Sequence, residues 1–152
     1  MSQRFVHGYL GYLLGQANHA VYKDFDLRVR KAGLSGIEWR VLASLHDGPA
    51  LPVSELAADI LSKQPTVTKL VQRMASLGTV ELLADVQDQR RTLVQITPTG
   101  QKLVKPLIQA AKTHEASVLT ALDATDTIAL KELLCRLVAL SVQSARTRRA
   151  ID

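Results

Sequence analysis

Apolar residues recur along most of this chain with the 3.6-residue period of amphipathic helices, and with a period of two in one short stretch. From about Arg4 to Lys31, the residues Leu10, Leu13, Leu14, Ala17, Ala20 and Val21 fall at helical spacing, and Ala32-Gly33 breaks the run. Gly8, Gly11 and Gly15 weaken that helix intrinsically but leave room for a neighbouring helix to come close. A second helix opens on Ser35 and Glu38, spaced as a capping box in which each side chain satisfies an orphan amide. It buries Ile37, Val41, Leu42 and Leu45 and ends at Asp47-Gly48-Pro49. A short third helix, about Val53 to Ile60, turns Leu56, Ala57 and Ile60 inward. A fourth, about Lys63 to Leu77, carries Val67, Leu70, Val71, Met74 and Leu77 on one side, with Gly78 as its stop.

The period changes at Thr79. Thr79 to Ala84 and Thr92 to Thr97 are β-branched and alternating, with the polar stretch 85–91 between them, which predicts a two-stranded hairpin with a charged tip. Thr97-Pro98 then reads as an N-cap followed by proline at the first helical position. The fifth helix should reach about Leu122, with a kink or local break at Pro106. The sixth should start at an Asp123 N-cap and run to about Arg148, with Leu130, Leu133, Leu134, Leu137 and Val138 as its stripe. The first, fifth and sixth segments hold about half the chain, and their broad apolar faces either pack on their own domain or meet a second copy. Twofold association is the favoured reading, because small oligomers are usually isologous.

Bulk composition narrows the class. At 152 residues, 47% hydrophobic and 22% charged, the chain fits one globular domain with a real core. A net charge of +5 favours a polyanionic partner, although solvated basic faces are also common. A lone cysteine, Cys135, cannot form an intramolecular disulfide and suits a reducing cytosol. Set among Leu133, Leu134 and Leu137, it reads as an inert small hydrophobe rather than a sensor thiol. Neither a signal peptide nor a membrane-spanning run is evident, so a cytoplasmic protein is expected. His7, His19, His46 and His114 are scattered, which argues against a metal site. No phosphate loop, nucleophile elbow or paired-carboxylate motif points to an enzyme or to a cofactor.

Chemistry concentrates in residues 53–97, where a short helix, a tight turn and a second helix make a helix-turn-helix. The wet face of the second helix shows Gln64, Thr66, Thr68, Lys69, Gln72, Arg73 and Ser76. Glutamine can bond adenine bidentately, lysine and arginine can bond guanine or phosphate, and threonine or serine can reach either. No acid lies between Asp59 and Glu81, whereas Lys63, Lys69 and Arg73 are basic. That helix alone is read equally well as a solvated face. The hairpin that follows shifts the balance, because its Arg90-Arg91 tip could reach the backbone or a narrow minor groove. Asp88 is expected to hold the Arg90 side chain extended by a charge-assisted hydrogen bond.

On the strings LSGIEWRVLASL, SELAADILSKQPTVTKLVQRMASLG and DQRRTLVQITPTG, residues 34–103 resemble the multiple-antibiotic-resistance-regulator (MarR) family of winged-helix repressors. The flanking helices resemble that family's dimerisation helices. The resemblance implies a mainly α, winged helix-turn-helix fold in a single domain over 1–152. Residues 33–98 would form the DNA-binding lobe, and 1–32 with 99–152 the dimerisation lobe. It further implies a homodimer that places two recognition helices in successive major grooves of a pseudo-palindromic operator, with two wings at the flanking minor grooves. By position, Lys63, Gln64, Pro65, Thr66, Thr68, Lys69 and Arg73 match the recognition segment, while Asp88 and Arg90 match the wing's acid and arginine. Gln72 and Arg91 join the candidate DNA contacts from the residue reading. Two departures stand out: Leu61 where the family often has glycine in the turn, and Leu82 where it often has arginine.

The family is also regulated by small ligands, aromatic acids and phenols among them. Tyr9, Tyr12, His19, Tyr22, Trp39 and Arg40 lie on the first two helices, which border the family's ligand cleft, and aromatics beside a cation could hold an aromatic anion. Taken singly, those aromatics read more readily as core and interface packing, with Arg40 solvated. The function expected is therefore a dimeric DNA-binding repressor released by such a ligand. The alternatives are a regulator without an inducer site and a winged helix used only for protein interaction.

Overall fold

A short 3-10 turn at Phe5–Gly8 comes before α1 (Leu10–Lys31) in the computed structural model, which describes residues 4–149. The single helix expected from Arg4 is thus interrupted at Tyr9, whose backbone is extended (φ −80, ψ 123) between Gly8 and Gly11. These glycines lower helix propensity where few tertiary contacts compensate. The remaining elements are α2 (Gly36–Leu45), β1 (Leu51–Pro52), α3 (Val53–Asp59), α4 (Gln64–Ser76), β2 (Val80–Ala84), β3 (Thr92–Ile96), α5 (Pro98–Leu119) and α6 (Ala124–Arg149). The chain divides into two units, residues 1–114 and 115–152.

In the first unit the helix starts fall where local chemistry sets them. Glu38 N–H donates to Ser35 Oγ, and the Ser35 amide donates to Glu38 Oε2 at 2.8 Å, which completes the capping box of α2. Thr97 Oγ1 accepts from Gly100 N–H at 3.1 Å and caps α5. The core gathers Val29 of α1, Leu42 and Leu45 of α2, Leu56 of α3, Val67 and Met74 of α4, Val94 of β3 and Val104 of α5, all nearly or wholly buried. Each large apolar side chain buried in this way contributes about 1.5–3 kcal/mol. Helix α5 runs unbroken through Pro106, so of the kink or local break expected there the break does not occur. Val104 and Leu107 on either side are packed into the core and hold the helix across the missing amide.

The sheet has three strands in the order β1-β3-β2, not two. The hairpin pairs Val80 with Ile96, Leu82 with Val94 and Ala84 with Thr92, as its alternation predicts. The added edge pairs Leu51 with Val94 and Pro52 with Leu93. A two-residue strand is too short to show a period, and its proline fits an edge position.

Between α3 and α4 the chain turns through Leu61, a non-glycine residue at φ +54 whose side chain is 89% exposed. The left-handed region costs a side-chain-bearing residue roughly 1–2 kcal/mol, and nothing apolar is buried there in return. Leu61→Gly should therefore leave the fold intact and stabilise it by up to about 1 kcal/mol after glycine's own entropic cost. A lowered denaturation midpoint would contradict this.

In the second unit, Asp126 N–H donates to Asp123 Oδ1 at 2.8 Å, the N-cap expected for α6. Lys131 pairs with Glu115 at 3.1 Å. The stripe Leu130, Leu133, Leu134, Leu137 and Val138 remains 39–63% exposed, and an apolar face in the first unit at Phe5, Tyr9, Leu10, Leu13 and Leu14 remains 40–79% exposed. Cys135 is exposed as well, so the buried, inert setting expected for it is not what the chain provides. Among the described residues no helix is long and apolar enough to cross a membrane.

Candidate nucleic-acid interface

Helix α4 separates its two kinds of residue by geometry. Val67, Leu70, Val71 and Met74 are buried, while Lys63 at the N-cap and Gln64, Pro65, Thr66, Lys69, Gln72, Arg73 and Ser76 are exposed. The residues nearest the centre of the exposed face are Pro65, Lys69, Gln72 and Ser76, with Thr66 and Arg73 along one edge. Two hydroxyls are turned back on their own helix: Thr68 Oγ1 donates to the Gln64 carbonyl at 2.9 Å and Ser76 Oγ to the Arg73 carbonyl at 2.7 Å. Thr68 is half-buried, which makes it the weakest of the expected contacts from this face.

The acid-free face read from residues 59–81 is not acid-free in space. Glu38, from the first turn of α2, places Oε1 2.7 Å from Arg73 Nη2. Its other oxygen accepts from the Ser35 amide and from Ser35 Oγ at 2.6 Å. The carboxylate is thus fully engaged, and its side chain is only 12% exposed against 60% for Arg73. Arg73 is therefore not the free cation expected, because a neutralising partner 35 residues away reaches it. Burial pushes the Glu38 carboxyl up. The hydrogen bonds from Ser35, together with the charge and hydrogen bond of Arg73, outweigh burial and hold it below the usual carboxylate range. A depressed folded-state value gives stability that is fully present above the unfolded value and is lost as pH falls through the folded one. Glu38→Gln should accordingly destabilise at neutral pH, and the gap from wild type should close in acid. A gap independent of pH would contradict this.

In the wing, Asp88 does not hold the Arg90 side chain. Its Oδ1 accepts from the Arg90 backbone amide at 3.0 Å and its carbonyl accepts from the Arg91 amide, so the short acid shapes the turn. Arg91 is also not free at the tip: it lies 3.1 Å from Glu55 of α3 and 4.0 Å from Asp85, tying the wing's base to the helix-turn-helix. Arg90 and Lys69 are exposed and make no ion pair among the described residues. Glu38 and Glu55, which engage Arg73 and Arg91, lie 35 and 36 residues off in sequence, beyond the reach of local pattern. Glu38's capping position, which leaves one carboxylate oxygen to spare, was the available signal.

The ligand candidates are only partly brought together. His19 and Tyr22 line a cavity of about 380 Å³ with Asn18, Lys23 and Asp26. Tyr22 Oη is the buried side-chain polar atom left without a hydrogen-bond partner among the described residues. Burial first, then Asp26, push its hydroxyl up, and Arg40 draws it partly back. Arg40, though exposed as expected, also donates from Nη1 to the Ile60 carbonyl at 3.0 Å and from Nε to the Gly36 carbonyl, so its guanidinium caps the end of α3. Trp39 is core, edge-on to Phe25 at 5.2 Å. Tyr9 stacks on Phe5, and Tyr12 lies against His7, neither of them lining that cavity. No cluster of three or more potential metal ligands occurs among the described residues.

This arrangement has close counterparts. The MarR family sequence model matches residues 32–91. The crystal structure of a MarR family transcriptional regulator from Silicibacter pomeroyi DSS-3, SPO1453, is 35% identical, covers 91% of this chain and 98% of its own, and superposes with a TM-score of 0.81. The homoprotocatechuate degradative operon repressor of Escherichia coli is 30% identical over 98 residues, 64% of this chain and 66% of that one. NadR, solved in complex with 4-hydroxyphenylacetate, is 25% identical, covers 90% of this chain and 97% of its own, and has a TM-score of 0.80. With sequence, topology and helix-turn-helix in agreement over nearly its whole length, the chain belongs to the MarR family of transcriptional regulators.

Proposed function

We propose that this protein is a cytoplasmic homodimer that binds pseudo-palindromic duplex DNA and represses transcription until a small aromatic ligand releases it. The observation that carries the DNA-binding part is the two-sided α4, anchored by Val67, Leu70, Val71 and Met74 and offering Lys63, Gln64, Pro65, Thr66, Lys69 and Gln72 outward. Arg90, exposed in the wing and without an ion pair among the described residues, supplies the groove or backbone contact that accompanies it. Amide, hydroxyl and ammonium groups of this kind suit base edges and phosphates.

Dimerisation is supported by the uncovered apolar faces of the 3-10 turn with α1 and of α6, which are large for an isolated chain in water. Repression is supported by the Escherichia coli relative, itself a repressor, and an aromatic ligand by NadR in its complex with 4-hydroxyphenylacetate. The cavity lined by Asn18, His19, Tyr22, Lys23 and Asp26 offers such a ligand an aromatic wall beside polar and charged groups.

Sedimentation at micromolar concentration should give a dimer, and a gel shift with the gene's own upstream region should show specific retardation at physiological salt. Hydroxylated aromatic acids that raise the melting temperature should weaken that retardation. A monomer, or DNA binding that disappears at physiological salt whatever the sequence, would reject the reading.

A further inference from the structure

The pairing of Arg73 with Glu38 bears on how tightly this protein holds DNA of any sequence, given the proposal that α4 meets DNA. Within α4 the cations are Lys69 and Arg73, with Lys63 at its N-cap. Lys69 makes no ion pair among the described residues, whereas Arg73 Nη2 lies 2.7 Å from Glu38 Oε1. The acid is not free to swing aside. Its Oε2 accepts from the Ser35 amide at 2.8 Å and the Ser35 hydroxyl at 2.6 Å, within a capping box that starts α2. A phosphate approaching Arg73 must therefore compete with a fixed carboxylate already in charge-assisted contact. Success would leave a largely buried Oε1 without its donor, a further penalty.

We propose that Glu38 is a specificity-determining residue: it withholds Arg73 from the DNA backbone and so trims the sequence-independent part of binding. Non-specific affinity comes almost wholly from cations replacing counterions on phosphates. The useful quantity in a genome is the ratio of specific to non-specific binding. Neutralising one cation at the edge of the recognition helix lowers the second term and leaves the groups at the centre of the face, Lys69 and Gln72, untouched.

The test is the salt dependence of binding to a short fluorescent duplex of arbitrary sequence, read by anisotropy, alongside a thermal melt of each variant. Glu38→Gln keeps a hydrogen-bond acceptor but removes the charge. It should bind that duplex more tightly and steepen the slope of log K against log salt by about 0.9 for each recognition helix. Glu38→Gln/Arg73→Gln should return the slope to the wild-type value. Arg73→Gln alone should not flatten the slope, which keeps the test decisive if Glu38→Gln fails to fold. An unchanged or shallower slope in Glu38→Gln, or a loss of about 0.9 per helix in Arg73→Gln, would overturn the proposal. Lys69→Ala separates the two levels. A flattened slope there with no response to Glu38→Gln rejects the role of Glu38 alone, while no response in either rejects α4 as the DNA surface.

Discussion

Replacing Gly100 by alanine should destabilise this protein more than any conservative change in its core. A Cβ at that position would lie 2.1 Å from the Thr79 carbonyl oxygen and 2.8 Å from Ile96 Cγ1. The first of these is backbone and cannot rotate away. It is also in use, because the Thr79 carbonyl accepts from the Thr97 amide at 3.2 Å. Thr97 Oγ1 in turn donates to the Gly78 carbonyl at 2.6 Å and accepts from Gly100 N–H. The start of α5 is thus fastened to the entry of β2 through a contact that only glycine permits. Relieving the overlap means pulling α5 from the wing's base and breaking those bonds. Overpacking usually costs about 1–3 kcal/mol, and with fixed backbone on one side we expect the upper end or beyond. For a chain of this size, about 3 kcal/mol corresponds to a fall of roughly 6–12 °C in melting temperature. A circular-dichroism melt within a degree or two of wild type would mean that the approach is looser than it looks.

The second large effect concerns binding. Lys69→Ala should weaken operator binding by about 1–3 kcal/mol if the ammonium contacts a base, with little change in melting temperature because the side chain is exposed. Arg90→Ala should act differently: affinity falls for all sequences alike and the salt slope becomes shallower, as for a backbone or groove contact. Competition anisotropy with operator and scrambled duplex separates the two. Equal loss on both duplexes for Lys69→Ala would make it a phosphate contact, and no loss on either would place DNA elsewhere on the protein.

What was legible in the sequence is what local chemistry decides. Ser35 with Glu38, Thr97 with Pro98, and Asp123 each mark a helix start because capping joins residues three positions apart. The four buried positions of α4 follow from spacing, but the same spacing also marks Leu77, which falls at the C-cap and is 66% exposed. The wing hairpin was legible from alternation, but its third strand was not, since Leu51 and Pro52 pair with residues more than forty positions away. The same distance effect governs the site. Lys69 and Arg73 look alike in the sequence, and only the fold brings Glu38 to one of them. Arg90 and Arg91 are neighbours, yet only Arg91 meets Glu55 and Asp85. Arg40 is exposed as the sequence suggests, and only the fold brings the end of α3 beside it as a hydrogen-bond partner. Residue type marks the candidate cations, and tertiary pairing decides which of them carry a neutralising acid.

Site-directed crosslinking is the most direct test of α4 as the DNA surface. With the exposed Cys135 changed to serine, a single cysteine at Gln72 would carry a photoactivatable group, and a second protein would carry it at the exposed Lys112 of α5. Irradiation with duplex DNA should give adducts from position 72 and few from position 112. Adducts from 112 with none from 72 would show that DNA lies against another face.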